Sequence, residues 1–300
     1  MKNNMGETLI IFGNGFDLDL GWKTSYKDFY RARENKFKEY DGMKYIQEMV
    51  KEEYWYDLEG YIRKCLIEMP EERADELNDF WQICRDLMFG YLKPNEKIHS
   101  INISREEIFN TNKESCAYKF LTGITNKASI VTFNYTDPFI QNNIPNKATE
   151  YIHVHGNIVN TILCSDLILG ADKSVMDENN IINNEKQTLP IIKSYGNKYL
   201  DKVFRLLKTC SNIVFYGHSL GQTDADYFKS YFNKVISGNI IEQNIYFVTK
   251  NSKGLQQMKD NLNKYQIRYD DIFFSKSNVV PVYTEEGINS EGFQSLLKLI

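Results

Sequence analysis

Leu9-Ile10-Ile11-Phe12 is an apolar run with no polar alternation, cut off by Gly13-Asn14-Gly15. A strand of that kind has no face to give to water. It therefore predicts a place inside a sheet covered on both sides, as parallel strands fed by crossover helices are. The signature, beginning at Glu7–Phe12, returns at Ser129–Phe133, Tyr151–Val154, Leu167–Leu169, Asn212–Tyr216, Ile245–Thr249 and Val279–Tyr283. Between several of these runs the apolar period lengthens to three-and-four, most clearly over Lys198–Thr209, Asp224–Ile236 and Gly254–Tyr265. Buried strands alternating with amphipathic helices predict an α/β fold: a doubly wound, mainly parallel, Rossmann-like sheet with helices on both faces.

One stretch departs from that alternation. From residue 26 to 125 the chain is aromatic and helical in period, with Leu58, Tyr61, Ile62, Cys65 and Met69, then Leu77, Phe80, Trp81, Cys84, Leu87, Met88 and Tyr91, punctuated by Pro70 and Pro94. This spacing predicts a large helical insertion after the first strand, within a single domain spanning residues 1–300. The Asn-rich residues 177–188 predict an exposed loop.

Composition removes several function classes. With 42% hydrophobic and 14% aromatic residues the chain has the content of a folded globule. Its 36 basic and 40 acidic residues leave a net charge of −4, so no global field draws in a polyanion and nucleic acid is not an expected partner. No uncharged apolar run approaches the roughly 18 residues of a membrane span, and the N-terminal run reads as a strand rather than a signal peptide. Five widely spaced cysteines (Cys65, Cys84, Cys116, Cys164, Cys210) form no C-x-x-C pair. That pattern points to a reducing, cytoplasmic compartment with neither a disulfide framework nor a cysteine-built metal site.

In a doubly wound sheet, ligands bind beyond the carboxyl ends of the strands, so the strand exits are the places to look for chemistry. The first exit, Gly13-Asn14-Gly15-Phe16-Asp17, is a candidate phosphate cradle, because residues without a β-carbon let backbone N–H groups approach an anion. It is an incomplete dinucleotide fingerprint, since Leu18 stands where a third glycine belongs, and a tight strand exit explains the glycines as well. Asn134, after the second strand, carries an amide able to hold a water or a sugar hydroxyl, or to close an Asx-turn before Pro138. His153 and His155 alternate along one strand, about 7 Å apart, but no H-E-x-x-H pattern makes them a metal pair. His153 fits a structural role, whereas His155 stands at the exit before Gly156, where an imidazole suits proton transfer near neutral pH.

Gly217-His218-Ser219-Leu220-Gly221 matches the G-x-S-x-G nucleophile elbow. In that fold the base follows the serine, yet all four histidines (His99, His153, His155, His218) precede Ser219. The alternative role is to offer N–H groups and the Ser219 hydroxyl to a phosphate or ribose, with Thr223 or Asp224 capping the next helix. Candidate ligand-binding residues are thus Gly13, Asn14, Gly15 and Asp17 at one exit and Gly217, His218, Ser219 and Asp224 at another.

Taken in order, Gly13-Asn14-Gly15-Phe16-Asp17, Thr132-Phe133-Asn134-Tyr135-Thr136, His153-Val154-His155-Gly156-Asn157 and Phe215-Tyr216-Gly217-His218-Ser219-Leu220-Gly221-Gln222-Thr223-Asp224-Ala225-Asp226-Tyr227 resemble the bacterial abortive-infection AbiH family. That family in turn resembles the sirtuin-like superfamily, whose members bind NAD on a Rossmann-like sheet. The resemblance implies that Gly13 and Gly15 meet dinucleotide phosphates and that Asn134 lies beside the nicotinamide ribose. It implies that His155 is the catalytic histidine and that Gly217 and Ser219 belong to a second nucleotide-holding loop. Two positions depart from the superfamily pattern: Thr136 replaces an acid two places after the asparagine, with Asp137 one step on, and Asn14 stands where alanine is common. The absence of C-x-x-C pairs separates the chain from zinc-ribbon deacetylases.

Three readings follow. The first is an anti-phage NAD glycohydrolase with His155 as base, Asn134 orienting water, and Asp17 or Asp137 stabilising the developing positive charge, with no metal. The second is a nucleotide-sensing or partner-binding defence protein without chemistry, and the third a hydrolase using Ser219. The expected ligand is NAD or a related nucleotide, a phage-derived activator is the expected kind of protein partner, and a homo-oligomer is compatible with all three.

Overall fold

The computed structural model describes residues 7–40, 42–51, 57–68, 74–93, 104–159, 167–171, 191, 199–240 and 242–300. Along the chain the elements are β1 (Thr8–Phe12), α1 (Asn14–Asp19), α2 (Tyr26–Lys38), α3 (Lys44–Lys51), α4 (Leu58–Glu68), α5 (Ala74–Leu92), α6 (Arg105–Ile108), α7 (Cys116–Gly123), β2 (Ala128–Thr132), α8 (Pro138–Gln141) and β3 (Glu150–His153). They continue with α9 (Leu200–Thr209), β4 (Asn212–Tyr216), α10 (Ala225–Ile236), β5 (Asn244–Thr249), α11 (Ser252–Lys264), α12 (Tyr269–Phe273), β6 (Asn278–Tyr283) and α13 (Glu291–Leu297). They fall into two compact units, one of Met1–Trp22, Asn110–Val154 and Lys198–Ile300, the other of Lys23–Phe109 and His155–Asn197.

The first unit is built on a six-stranded sheet of order β3-β2-β1-β4-β5-β6. Every pairing in it is parallel. β1 is central, buried at all five positions, with Phe12 level with Thr132 on one side and Tyr216 on the other. The unbroken apolar run at Leu9–Phe12 has its cause here, since alternate residues serve opposite layers. Leu9, Ile11, Ile213, Phe215, Ile245 and Phe247 join a core with residues of α9, α10 and α11, such as Leu206, Phe232 and Met258. On the opposite face Phe12 stacks on Phe16 (4.0 Å between centroids) and meets Phe120 of α7, which also packs on Tyr216. α13 packs against β6 and α7. Pro281, lacking an N–H, sits on β6, at the edge of the sheet, where among the described residues one side of the backbone has no neighbouring strand.

Five of the six runs expected after β1 are strands, and Leu167–Leu169 is not. Leu167 and Leu169 are buried, as an apolar run predicts, but the backbone is satisfied locally: Ile168 N–H donates to the His155 carbonyl (2.9 Å), and the Leu169 carbonyl accepts from Trp81 Nε1 (2.7 Å). A short apolar run is equally compatible with an irregular buried segment when a side chain supplies the hydrogen bond.

The second unit contains α2–α6. Ser25 and Asp28 form a capping box at the start of α2, and Ser104 and Glu107 form another at α6. Its core is aromatic, with Phe29 against Phe37 and Tyr91, and Phe80 between Tyr45 and Tyr61. Of the expected 26–125 stretch, α7 belongs to the sheet unit, because Phe120 is part of the layer on Phe12. Met69, Pro70, Pro94, His99, Cys164 and residues 177–188 lie outside the described residues. Cys65, Cys84, Cys116 and Cys210 are buried free thiols, and burial pushes the Cys116 thiol up to about 12, which keeps it protonated. Among the described residues no helix is long and apolar enough to cross a membrane.

Candidate functional site

The chain leaves β1 through Gly13, which caps α1 from an extended conformation. The two glycines of this turn are packed backbone to backbone against the turn after β4. Gly13 N–H donates to the Tyr216 carbonyl (3.0 Å), Gly15 N–H to the Gly217 carbonyl (2.8 Å) and Phe16 N–H to the Gly13 carbonyl (2.9 Å). A β-carbon on Gly13 would lie 2.4 Å from His218 Cα, and one on Gly217 would lie 2.2 Å from Phe16 N. Gly217 also has φ +64°, a conformation that favours glycine. The requirement for glycine at Gly13, Gly15 and Gly217 is therefore this interlock, and the N–H groups of Gly13, Gly15 and Phe16 are committed within the protein. The Asn14 side chain is exposed at the top of the turn.

Beside the interlock, the exits of β1 and β2 are tied by one buried carboxylate. Asp17, 1% exposed, accepts from Asn134 Nδ2 (2.8 Å) and from Thr136 Oγ1 (2.5 Å). The second Asn134 amide hydrogen goes to the Gly13 carbonyl (3.1 Å). With both hydrogens of Nδ2 used, the amide orientation is fixed and Oδ1 is left as its remaining acceptor. The Nδ2 bonds tie Asn134 to the exit of β1. Thr136, the departure from an acidic residue, supplies a hydroxyl to a carboxylate that already comes from α1, where a second acid would repel Asp17.

Asp137 caps α8: one oxygen accepts from Phe139 and Ile140 N–H (3.0 and 3.1 Å), and the other faces His153 Nε2 at 3.5 Å. Burial alone would raise this carboxyl, but the hydrogen bonds from His153 and from the Ile140 and Phe139 N–H groups outweigh it and hold Asp137 below the usual carboxylate range. Tyr151 stacks on His153 with 4.5 Å between ring centroids. Sequence reasoning missed the Asp137–His153 pair. The only signal was the β2–β3 register, which sets Thr132 level with His153 and brings the chain beyond Thr132 over that histidine.

After β4, His218 is buried edge-on to Phe133 (4.5 Å) and Phe228 (5.1 Å). Its Nδ1 accepts from Leu220 N–H (3.0 Å), and its Nε2 faces Asp224 at 3.7 Å. Ser219 is exposed and its carbonyl accepts from Asn261 Nδ2 (2.9 Å). A further acid escaped the sequence reading. Asp19 accepts from Tyr216 O–H (2.7 Å) and Ala117 N–H (2.8 Å), and burial raises its carboxyl against those hydrogen bonds. The sheet unit therefore gathers Gly13, Asn14, Gly15, Asp17, Asn134, Asp137, Gly217, His218, Ser219 and Asp224. His155, buried to 3% exposure, belongs to the other unit.

This sheet order reverses direction at β1, so the ends of β1 and β4 form a topological switch point, the place where doubly wound parallel proteins hold their ligands. The class defined here is a doubly wound parallel α/β protein whose strand exits carry acceptors: Asp17, Asp19, Asp137 and Asp224. The particular family follows from sequence: the profile of the bacteriophage abortive infection AbiH family matches residues 9–246, and the chain belongs to that family. Its role is accordingly in abortive infection, a defence against phage. A comparison with curated proteins returns no match.

Proposed function

We propose that the protein acts in abortive infection as an NAD glycohydrolase, breaking the nicotinamide–ribose bond on a sirtuin-like sheet. The observation that carries this reading is the buried Asp17–Asn134 pair at the exits of β1 and β2, beside the switch point. The strand exits are rich in acceptors, which suits ribose hydroxyls and a cationic nicotinamide ring better than it suits phosphates. As the bond breaks, positive charge grows on the ribose, and a fixed carboxylate such as Asp17 stabilises it without reorganising. Asn134, its amide hydrogens held by Asp17 and the Gly13 carbonyl, offers Oδ1 to orient a ribose hydroxyl or the attacking water. The family resemblance assigns the role of general base to His155.

The test is release of nicotinamide from NAD by the purified protein, alone and with phage lysate added as a source of activator. Turnover that falls at least 100-fold in Asn134→Ala and in His155→Ala supports the reading. No turnover under either condition sinks it.

A second reading, nucleotide sensing without chemistry, is favoured by how fully the exits are spent on internal hydrogen bonds. Calorimetry separates it from the first: NAD or ADP-ribose then binds with no product. The Ser219 hydrolase is not proposed, because both nitrogens of His218 are engaged, by Leu220 N–H and by Asp224, so that Ser219 has no base at that histidine.

A further inference from the structure

Two of the carboxylates at the strand exits have both oxygens spent on the protein itself. Asp17 has Oδ1 on Asn134 Nδ2 and Oδ2 on Thr136 Oγ1. Asp137 has Oδ1 on the Phe139 and Ile140 N–H groups and Oδ2 toward His153. Asp19 differs. Its Oδ2 takes both internal donors, Tyr216 O–H and Ala117 N–H. Its Oδ1 meets no donor among the described residues, and it is not sealed in: the residue is half-buried and this oxygen keeps contact with solvent.

Those two bonds do not require a charge. A neutral amide oxygen would accept from Tyr216 and Ala117 as well, whereas burial raises the Asp19 carboxyl against them, so the ionised form is held there unfavourably. A carboxylate fixed through one oxygen and open at the other, where an amide would serve the fold, has the character of a ligand-binding group.

Its position narrows the ligand. Asp17 and Asp19 stand two residues apart on α1, about 200° around a helix, and they go to opposite sides of β1. Asp17 meets the exit of β2, and Asp19 meets Tyr216, the last residue of β4. β1 lies between those two strands, at the switch point. The two carboxylates therefore bracket the place where a doubly wound sheet holds a dinucleotide, one half to each side. Each half carries a ribose, whose hydroxyls are donors suited to an open carboxylate oxygen. Lys250, exposed just beyond β5, acts on Asp19 electrostatically and offsets the repulsion between this carboxylate and a ligand's phosphates.

We infer that Asp19 is a ligand-binding residue whose Oδ1 accepts a hydroxyl of the adenosine ribose, on the β4 side of a bound dinucleotide, while Asp17 and Asn134 hold the nicotinamide side. This rests on the strand exits being a nucleotide site, and it requires no turnover.

The probe is ADP, which carries the adenosine half alone, compared with 2′-deoxy-ADP and 3′-deoxy-ADP by calorimetry on the full-length protein and on Asp19→Asn. In the variant the amide oxygen keeps Tyr216 O–H and Ala117 N–H while NH2 takes the place of Oδ1, so the fold stays and the open acceptor is gone. The unsubstituted protein is expected to bind ADP about tenfold or more tighter than the analogue lacking the accepted hydroxyl. Asp19→Asn is expected to bind all three within about twofold of one another. Equal affinities for the three in the unsubstituted protein overturn the inference, and that comparison stands whether or not the variant folds. A preference that survives in Asp19→Asn overturns it too. If NAD binds and ADP does not, the inference falls alone; if neither binds, the nucleotide reading falls with it.

Discussion

Replacing Gly217 by alanine puts a methyl carbon where the turn after β1 already has backbone. The new atom would sit 2.2 Å from Phe16 N, 2.3 Å from Gly15 C and 2.6 Å from Gly15 Cα, none of them the end of a flexible side chain. Relief requires the two turns to separate, which breaks the Gly15 N–H bond to the Gly217 carbonyl. Alanine at φ +64° adds a left-handed backbone penalty of about 1–2 kcal/mol. Overpacking that only a backbone shift relieves costs a further ~1–3 kcal/mol. Gly238, at φ +72° with nothing within 4 Å of its would-be β-carbon, bears the first cost without the second. Gly221, at φ −61° with only Ser219 Oγ at 3.6 Å and Thr223 Oγ1 at 3.8 Å nearby, bears neither. Equilibrium urea unfolding of the three alanine variants should therefore rank them. Gly221→Ala is neutral or stabilising by up to ~1 kcal/mol, Gly238→Ala loses about 1–2 kcal/mol, and Gly217→Ala loses about 2–5 kcal/mol. If Gly217→Ala and Gly238→Ala lose the same amount within about 0.5 kcal/mol, the turns are not interlocked and the account of the three glycines is refuted.

The Asp17 network predicts strong coupling. Asp17→Ala leaves two buried donors unmet and costs about 2–5 kcal/mol, Thr136→Val costs about 1–2, and the double variant costs measurably less than their sum in a double-mutant cycle; strict additivity would mean that the Thr136 hydroxyl does not serve Asp17. Asp137 predicts an acid limb. Because its folded pKa is depressed, its contribution is present above the unfolded value near 3.9 and is lost as pH falls through the folded value. Stability measured from pH 6 to 3 should fall less steeply in Asp137→Asn, and an unchanged slope would remove the His153 and N–H contacts as its cause. Asp19 has the opposite sign: its raised carboxyl opposes folding at neutral pH and is relieved as pH falls through the folded value. Asp19→Asn, which keeps an acceptor for Tyr216 O–H and Ala117 N–H, should leave stability at pH 7 unchanged or higher, and a large loss there would contradict this.

Much of the architecture was legible locally. Leu9–Phe12 announced a strand buried on both faces because a residue's burial on a pleated strand is written in the character of its neighbours two apart. The helices Leu200–Thr209, Ala225–Ile236 and Ser252–Lys264 were legible from their period for the same reason. The described helices between residues 26 and 125 follow the expected period, but no local pattern said that α7 packs on Phe12 in the sheet unit while α2–α6 form another. Leu167–Leu169 failed as a strand because apolarity reports burial and not which group takes the backbone hydrogen bond, here Trp81, far away in sequence.

By itself the sequence determined the parallel α/β class, the exits at which polar residues gather, and the AbiH character of their order. Only the tertiary structure decided what those residues do there. It made Gly13, Gly15 and Gly217 a backbone interlock, joined Asp17 to Asn134 and Thr136, and turned Asp137 toward His153. The physical reason is range: strand and helix periods are set by burial of near neighbours, whereas hydrogen bonds and close backbone approaches join residues brought together only by the order of the strands.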